Sequence, residues 1–186
     1  MTLPTKLTLS RIVLTFVIMA LLFTPGMTAK VSALVGFMIA SLTDWFDGWL
    51  ARRWKQSSPM GALLDPIADK VLVLGMFLAF VQLGLIPAWM VLIIAFREFL
   101  ITGVRLVAAS HHVVLSAAKE GKHKTVSQMG TIVVVLVALI AQERSTAALW
   151  HQVIVACMWV TMLLTVISGT TFFWRHRSVL RDAVTR

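Results

Sequence analysis

Long apolar runs, broken at intervals by turn-forming and charged residues, set the pattern of this chain. Six runs are long enough to cross about 30 Å of hydrocarbon as helix: residues 9–24, 31–54, 61–84, 87–109, 125–142 and 148–173. They are separated by Thr24-Pro25-Gly26, by Ser57-Ser58-Pro59, by Gly84 with Pro87, and by the polar stretch 110–121. No linker exceeds a dozen residues and no internal repeat is visible, so residues 1–186 read as a single domain. The expected fold is all-α and integral to a membrane: six transmembrane helices preceded by a short interfacial segment, Thr2–Thr8 around Pro4. Lys6 and Arg11 before the first run, with Val31-Ser32-Ala33 after it, imitate a signal peptide. The further spans that follow favour an uncleaved first helix.

Composition agrees with the pattern. Of 186 residues, 59% are hydrophobic and 13% charged, whereas a soluble domain is nearer half apolar and a quarter charged. The lone cysteine, Cys157, sits in an apolar run as a small hydrophobe, which removes disulfide frameworks and thiolate metal sites. The net charge of +9 could serve nucleic acid, a membrane surface or an anionic substrate. Its distribution decides. With the N-terminus inside, Lys6, Arg11, Arg52, Arg53, Lys55, Lys119, Lys122, Lys124, Arg175, Arg177, Arg181 and Arg186 gather on the cytoplasmic side, and only Lys30 and Arg144 on the other. Both termini are therefore expected in the cytoplasm. Trp54, Trp89, Trp150 and Trp174 fall at predicted helix ends, where indoles favour the interface. Nucleic acid is not needed to explain the charge.

Four aspartates break the apolar pattern. Asp44 and Asp47 lie in DWFDGWLAR of the second run, and Asp65 and Asp69 in LDPIAD of the third. At 100° per residue, Asp44, Asp47, Gly48, Ala51 and Arg52 fall within an arc of about 140°, and Gly61, Asp65 and Asp69 repeat at four-residue intervals on one face. Helices joined by a short turn are expected side by side, so the two stripes can converge in the cytoplasmic half of the membrane. Clustered carboxylates in a low-dielectric site repel unless a cation lies among them. Hard oxygen donors without His or Cys favour Mg2+ or Mn2+ over zinc, and four carboxylates suit two ions. A structural ion-pair network of these aspartates with Arg52, Arg53 or Lys70 is the plain alternative, but acids inside membranes are costly and usually functional. Gly48, Ala51 and Gly61 either let helices approach closely or leave room for a bulky ligand.

The spaced residues Asp44-x2-Asp47-Gly48-x2-Ala51-Arg52-x8-Gly61-x3-Asp65-x3-Asp69 resemble the signature of the CDP-alcohol phosphotransferase family, with no departure at eight fixed positions over 26 residues. Further stretches, LPTKLTLSR, TDWFDGWLARRW, LDPIADKVLV, AFREFLITGVR and GKHKTVSQM, are similar to one branch, the bacterial phosphatidylglycerophosphate synthases. The final third matches only in being apolar. The resemblance implies a six-helix homodimer in the bacterial inner membrane with its site facing the cytoplasm. It implies transfer of a phosphatidyl group from CDP-diacylglycerol to sn-glycerol 3-phosphate, with CMP released and two divalent metals bound.

It further implies metal ligation by Asp44, Asp47, Asp65 and Asp69, with Asp69 also the general base. CDP-diacylglycerol would bind at Gly48, Ala51, Arg52 and Gly61. The acceptor phosphate would need cations of its own, for which Arg97, Arg105, Lys122 and Lys124 are candidates, with Thr125 beside them. Glu98 either orients Arg97 or Arg105 or merely neutralises Arg97. Basic residues at the mouth of the fifth span are also expected from topology alone. His123 reads as an interfacial residue, and His111 and His112 as solvated loop residues. CDP-dependent cardiolipin synthases and phosphatidylserine synthases share the signature. A divalent-cation carrier is the rival from another class, but it predicts repeats around a midplane site, which this chain lacks.

Overall fold

The computed structural model describes the backbone of residues 3–54, 59–110, 120–142 and 147–177, and the side chains of 8–43, 67–109, 124–142 and 149–177. Among these residues there are six helices and no strand: α1 Leu3–Phe23, α2 Met27–Trp54, α3 Pro59–Gln82, α4 Ala88–Ser110, α5 Glu120–Gln142 and α6 Ala147–Arg175. Each covers one of the apolar runs to within two residues, and most extend beyond it at one end. Hydropathy marks the part suited to hydrocarbon, whereas the hydrogen-bonded backbone continues into the polar flanks.

Leu3–Thr8, expected as a separate interfacial segment, is instead the first part of α1. Pro4 falls in the first turn, where its missing N–H leaves no intrahelical bond unmade, so it starts the helix rather than breaking it. At the end of α3, Gly84 adopts φ 71°. Its N–H donates to the Val81 carbonyl at 2.9 Å and that of Leu85 to the Phe80 carbonyl at 3.0 Å. This paired closure needs a left-handed residue, which glycine supplies without a Cβ clash. Pro87 then precedes α4.

Helix α1 packs on both α2 and α3, α5 on α6, and α4 on α6, while α5 also reaches α2 and α3. Among the described residues α2 and α3 are joined through α1 and α5; the side chains at the ends joined by the short connection, where the side-by-side pairing is expected, lie outside the described residues. A short connection constrains only the helix ends it joins, and glycines admit α1 elsewhere. A Cβ at Gly36 would lie 3.1 Å from Ile18 Cγ1, and one at Gly75 only 2.9 Å from Thr15 Cγ2. Thr15 cannot yield easily, since it is buried and its hydroxyl donates to the Arg11 carbonyl at 2.9 Å. Gly75→Val is therefore expected to force α1 off α3 and destabilise the bundle by about 1–3 kcal/mol; thermal unfolding in detergent, compared with wild type, checks this.

The exterior differs from that of a water-soluble bundle. Leu92, Phe96 and Leu106 of α4 are each about two-thirds exposed, at 69, 66 and 65%. Phe16, Ile39, Leu163 and Ile167 are also exposed on other helices. Meanwhile Arg11, Thr15, Glu98, Lys124, Gln128, Thr131, Thr161 and Ser168 are buried. A largely apolar exterior over an apolar core that also buries these polar and charged side chains is the arrangement of a protein surrounded by lipid. Two described stretches, Lys124–Gln142 and Leu149–Arg175, are long and apolar enough to cross a membrane, with mean hydropathy 1.9 and 2.1. Between them Thr161 Oγ1 lies 2.7 Å from Ser127 Oγ and 2.8 Å from Thr131 Oγ1. Such interhelical hydroxyl contacts hold helices together where burial of apolar surface gives no preference over lipid.

Candidate active site

Helix α4 carries Arg97, Glu98 and Arg105 within an otherwise apolar sequence. Charges at such positions need partners, and the bundle supplies them. Glu98 turns inward and receives a cation from each of three helices. Lys124 Nζ of α5 lies 2.5 Å from its Oε1, Arg97 Nη1 of α4 donates to the same oxygen at 3.1 Å, and Lys70 Nζ of α3 lies 3.5 Å from Oε2. Arg97 continues to α6, where Nη2 donates to Ser168 Oγ at 2.7 Å. The stem of Arg97 fits because residue 169 is glycine: a Cβ there would stand 3.1 Å from Arg97 Cγ. Arg97 Nε is buried without a hydrogen-bond partner among the described residues.

Arg105, two turns further along α4, takes a different place. Its guanidinium lies 5.4 Å from the centre of the Phe172 ring, which in turn faces His176 at 4.6 Å. Glu98 therefore pairs with Arg97 rather than Arg105, and with Lys70 and Lys124 as well. Of the expected acceptor-binding residues, Arg97 and Lys124 come together on one carboxylate. Thr125 follows Lys124 on α5 and is half-buried, while the side chain of Lys122 lies outside the described residues.

Asp69 is half-buried on α3, directly before Lys70. Asp44, Asp47, Gly48, Ala51 and Arg52 lie on the last three turns of α2, and Gly61 and Asp65 on the first two turns of α3. Their side chains are outside the described residues, so the expected convergence of the four aspartates is a matter for the proposal below. Neither α2 nor α3 contains histidine or cysteine. The donor set that these helices offer is thus hard oxygen throughout, which fits a divalent cation of the Mg2+ type and not zinc.

Lys70, Gln128 and Ser168 were not singled out as functional from the sequence. A lysine and a glutamine within membrane-grade runs are signals in themselves, and Lys70 lies inside the stretch LDPIADKVLV. Gln128, one turn beyond Lys124, is 2% exposed. Ser168 gives no comparable signal, because a serine in an apolar helix commonly satisfies its own backbone.

A family model described as CDP-alcohol phosphatidyltransferase matches residues 1–167, which include the four aspartates and Lys70, Arg97, Glu98, Arg105 and Lys124 but stop one residue before Ser168. The chain belongs to the CDP-alcohol phosphatidyltransferase family. Among curated relatives, a Bacillus subtilis protein named CDP-diacylglycerol–glycerol-3-phosphate 3-phosphatidyltransferase is 36% identical over 193 residues, covering 97% of this chain and 98% of that one. A Rickettsia felis protein of the same name is 31% identical over 92% of this chain and 93% of its own. One from Yersinia pestis is 38% identical over 70% of this chain and 74% of its own. CDP-alcohol phosphatidyltransferases generally depend on divalent metal, in keeping with the all-carboxylate character of α2 and α3.

Proposed function

We propose that this membrane protein transfers the phosphatidyl group of CDP-diacylglycerol to sn-glycerol 3-phosphate, giving phosphatidylglycerophosphate and CMP. The reading is carried by near full-length similarity to the Bacillus subtilis relative named for that reaction. It is supported by the intact aspartate signature and by the cationic cluster around Glu98, which suits an acceptor carrying a phosphate.

Asp44, Asp47, Asp65 and Asp69 hold divalent metal, Mg2+ or Mn2+ and two ions by the number of carboxylates. When bound, it neutralises the diphosphate and stabilises the charge left on departing CMP. Gly48, Ala51 and Gly61 leave space for the cytidine nucleotide, and Arg52 pairs with its phosphates. Arg97 and Lys124 seat the acceptor phosphate, with Arg105, Lys122 and Thr125 at its edge. Asp69 accepts the proton of the acceptor's 1-hydroxyl as that oxygen attacks the phosphatidyl phosphorus. A new phosphorus–oxygen bond forms, the diphosphate bridge breaks, and CMP leaves with the bonding electrons.

The acyl chains stay in lipid, which explains why the signature lies on membrane helices. A groove of about 590 Å3 between α1 and α2 is lined by Leu9, Val13, Val17, Ile39 and Thr43, the last of them one residue before Asp44 in sequence. The chain crosses the bacterial inner membrane six times, with both termini and the site on the cytoplasmic side, and works as a homodimer. The two helices longest in hydrocarbon-compatible sequence and the distribution of Lys and Arg support that topology.

CMP release by the purified protein, measured with CDP-diacylglycerol and each of glycerol 3-phosphate, phosphatidylglycerol, serine and inositol phosphate, tests the assignment. Release is expected with glycerol 3-phosphate. Release with another acceptor and none with this one would replace it with that acceptor's branch of the family.

A further inference from the structure

A buried carboxylate is balanced by one cation, yet Glu98 holds Lys70, Arg97 and Lys124 together within 3.5 Å of its oxygens. All four side chains are at most 15% exposed. Gathering three like charges in so dry a place opposes folding through their mutual repulsion. A structural ion pair would have needed only one of them. Among the described residues in contact with Glu98, three cations face one carboxylate, and one donor of Arg97, Nε, has no hydrogen-bond partner among the described residues. Both features are those of a seat prepared for an anion with more than one negative charge, such as a phosphate monoester.

We infer that Glu98 is a positioning residue for the acceptor. Its two oxygens hold the ammonium groups of Lys70 and Lys124 and the guanidinium of Arg97 at fixed points, while Ser168 fixes the other end of the guanidinium. Lys70 adds a second function. It follows Asp69 on α3, so its bond to Glu98 ties the phosphate seat to the helix that carries the proton acceptor. The seat and the base keep a constant separation, matched to one length of acceptor. This rests on the acceptor assignment proposed above and goes beyond it by giving roles to Glu98 and Lys70, neither of which needs to touch the reacting atoms.

Charge and position predict opposite results for one substitution, which makes the test decisive. Glu98→Gln removes a negative charge from the seat. If only net charge mattered, the acceptor would bind more tightly. If Glu98 positions the cations, the KM for glycerol 3-phosphate rises by about tenfold or more, while the KM for CDP-diacylglycerol stays within about twofold. Glu98→Asp, which keeps the charge on a shorter stem, should fall between wild type and Glu98→Gln. Lys70→Gln, which leaves Glu98 paired to Arg97 and Lys124, should raise the acceptor KM alone.

The measurements use the full chain in detergent or lipid discs, with melting temperature recorded beside the kinetics. Should Glu98→Gln fail to fold, Glu98→Asp and Lys70→Gln carry the same comparison. An acceptor KM that is unchanged or lowered overturns the positioning role. So does a loss of turnover and of both substrates' binding in parallel with the melting temperature. A wild-type protein that releases no CMP with glycerol 3-phosphate overturns the acceptor assignment beneath it instead.

Discussion

Asp69→Asn is expected to lower kcat by about 10²–10⁴-fold, the usual contribution of a positioned general base. Asparagine keeps the shape and one acceptor oxygen of aspartate but cannot take the proton of the attacking hydroxyl. Asp44→Asn and Asp65→Asn should also nearly abolish turnover, for a different reason: they weaken the metal and with it the diphosphate. Equilibrium binding of CDP in the presence of Mg2+ separates the two. Binding should survive better in Asp69→Asn than in the other variants. Turnover near the wild-type rate in Asp69→Asn would show that another group removes the proton.

The second large effect concerns the acceptor phosphate. Arg97→Ala and Lys124→Ala should each raise the KM for glycerol 3-phosphate by about 10–100-fold, roughly 1.4 kcal/mol for every tenfold. Both residues are inside the bundle and held by Glu98 at 3.1 and 2.5 Å, so neither can be replaced by a neighbouring surface cation. Arg105→Ala should do less, since Arg105 is exposed and its recorded contact is the face of Phe172. Initial rates over a series of acceptor concentrations, at saturating CDP-diacylglycerol, give the ranking. An Arg105 effect equal to that of Arg97 would mean that the phosphate sits further toward the C-terminal end of α4 than the cluster implies.

The helix count and the signature were legible before any coordinates. Apolar runs of sufficient length, turn residues between them and one-sided basic flanks are local properties, and the lipid solvent rewards them independently of how the helices later pack. The start of α1 was less legible, because Pro4 reads equally as a break before a helix or as its first turn. The neighbours of each helix were not legible. Nothing in the sequence marked Gly36 and Gly75 as the places where α1 comes close to α2 and α3.

The candidate chemistry divides in the same way. Aspartates at fixed intervals along one helix declare a shared face through helical geometry, and the spacing of residues 44–69 carried the resemblance to the family signature that implied phosphatidyl transfer. Arg97 could be read as a partner of Glu98, but Lys70 and Lys124 could not. Lys70, Arg97 and Lys124 stand on three separate helices, and their meeting depends on how α3, α4 and α5 cross and on the space left at Gly169. Covalent order settled which groups lie on one face and which segments suit a membrane, because both follow from repeats a few residues long. Which charge answers which was decided only when the helices packed, because an electrostatic pair depends on distance through space and not on distance along the chain.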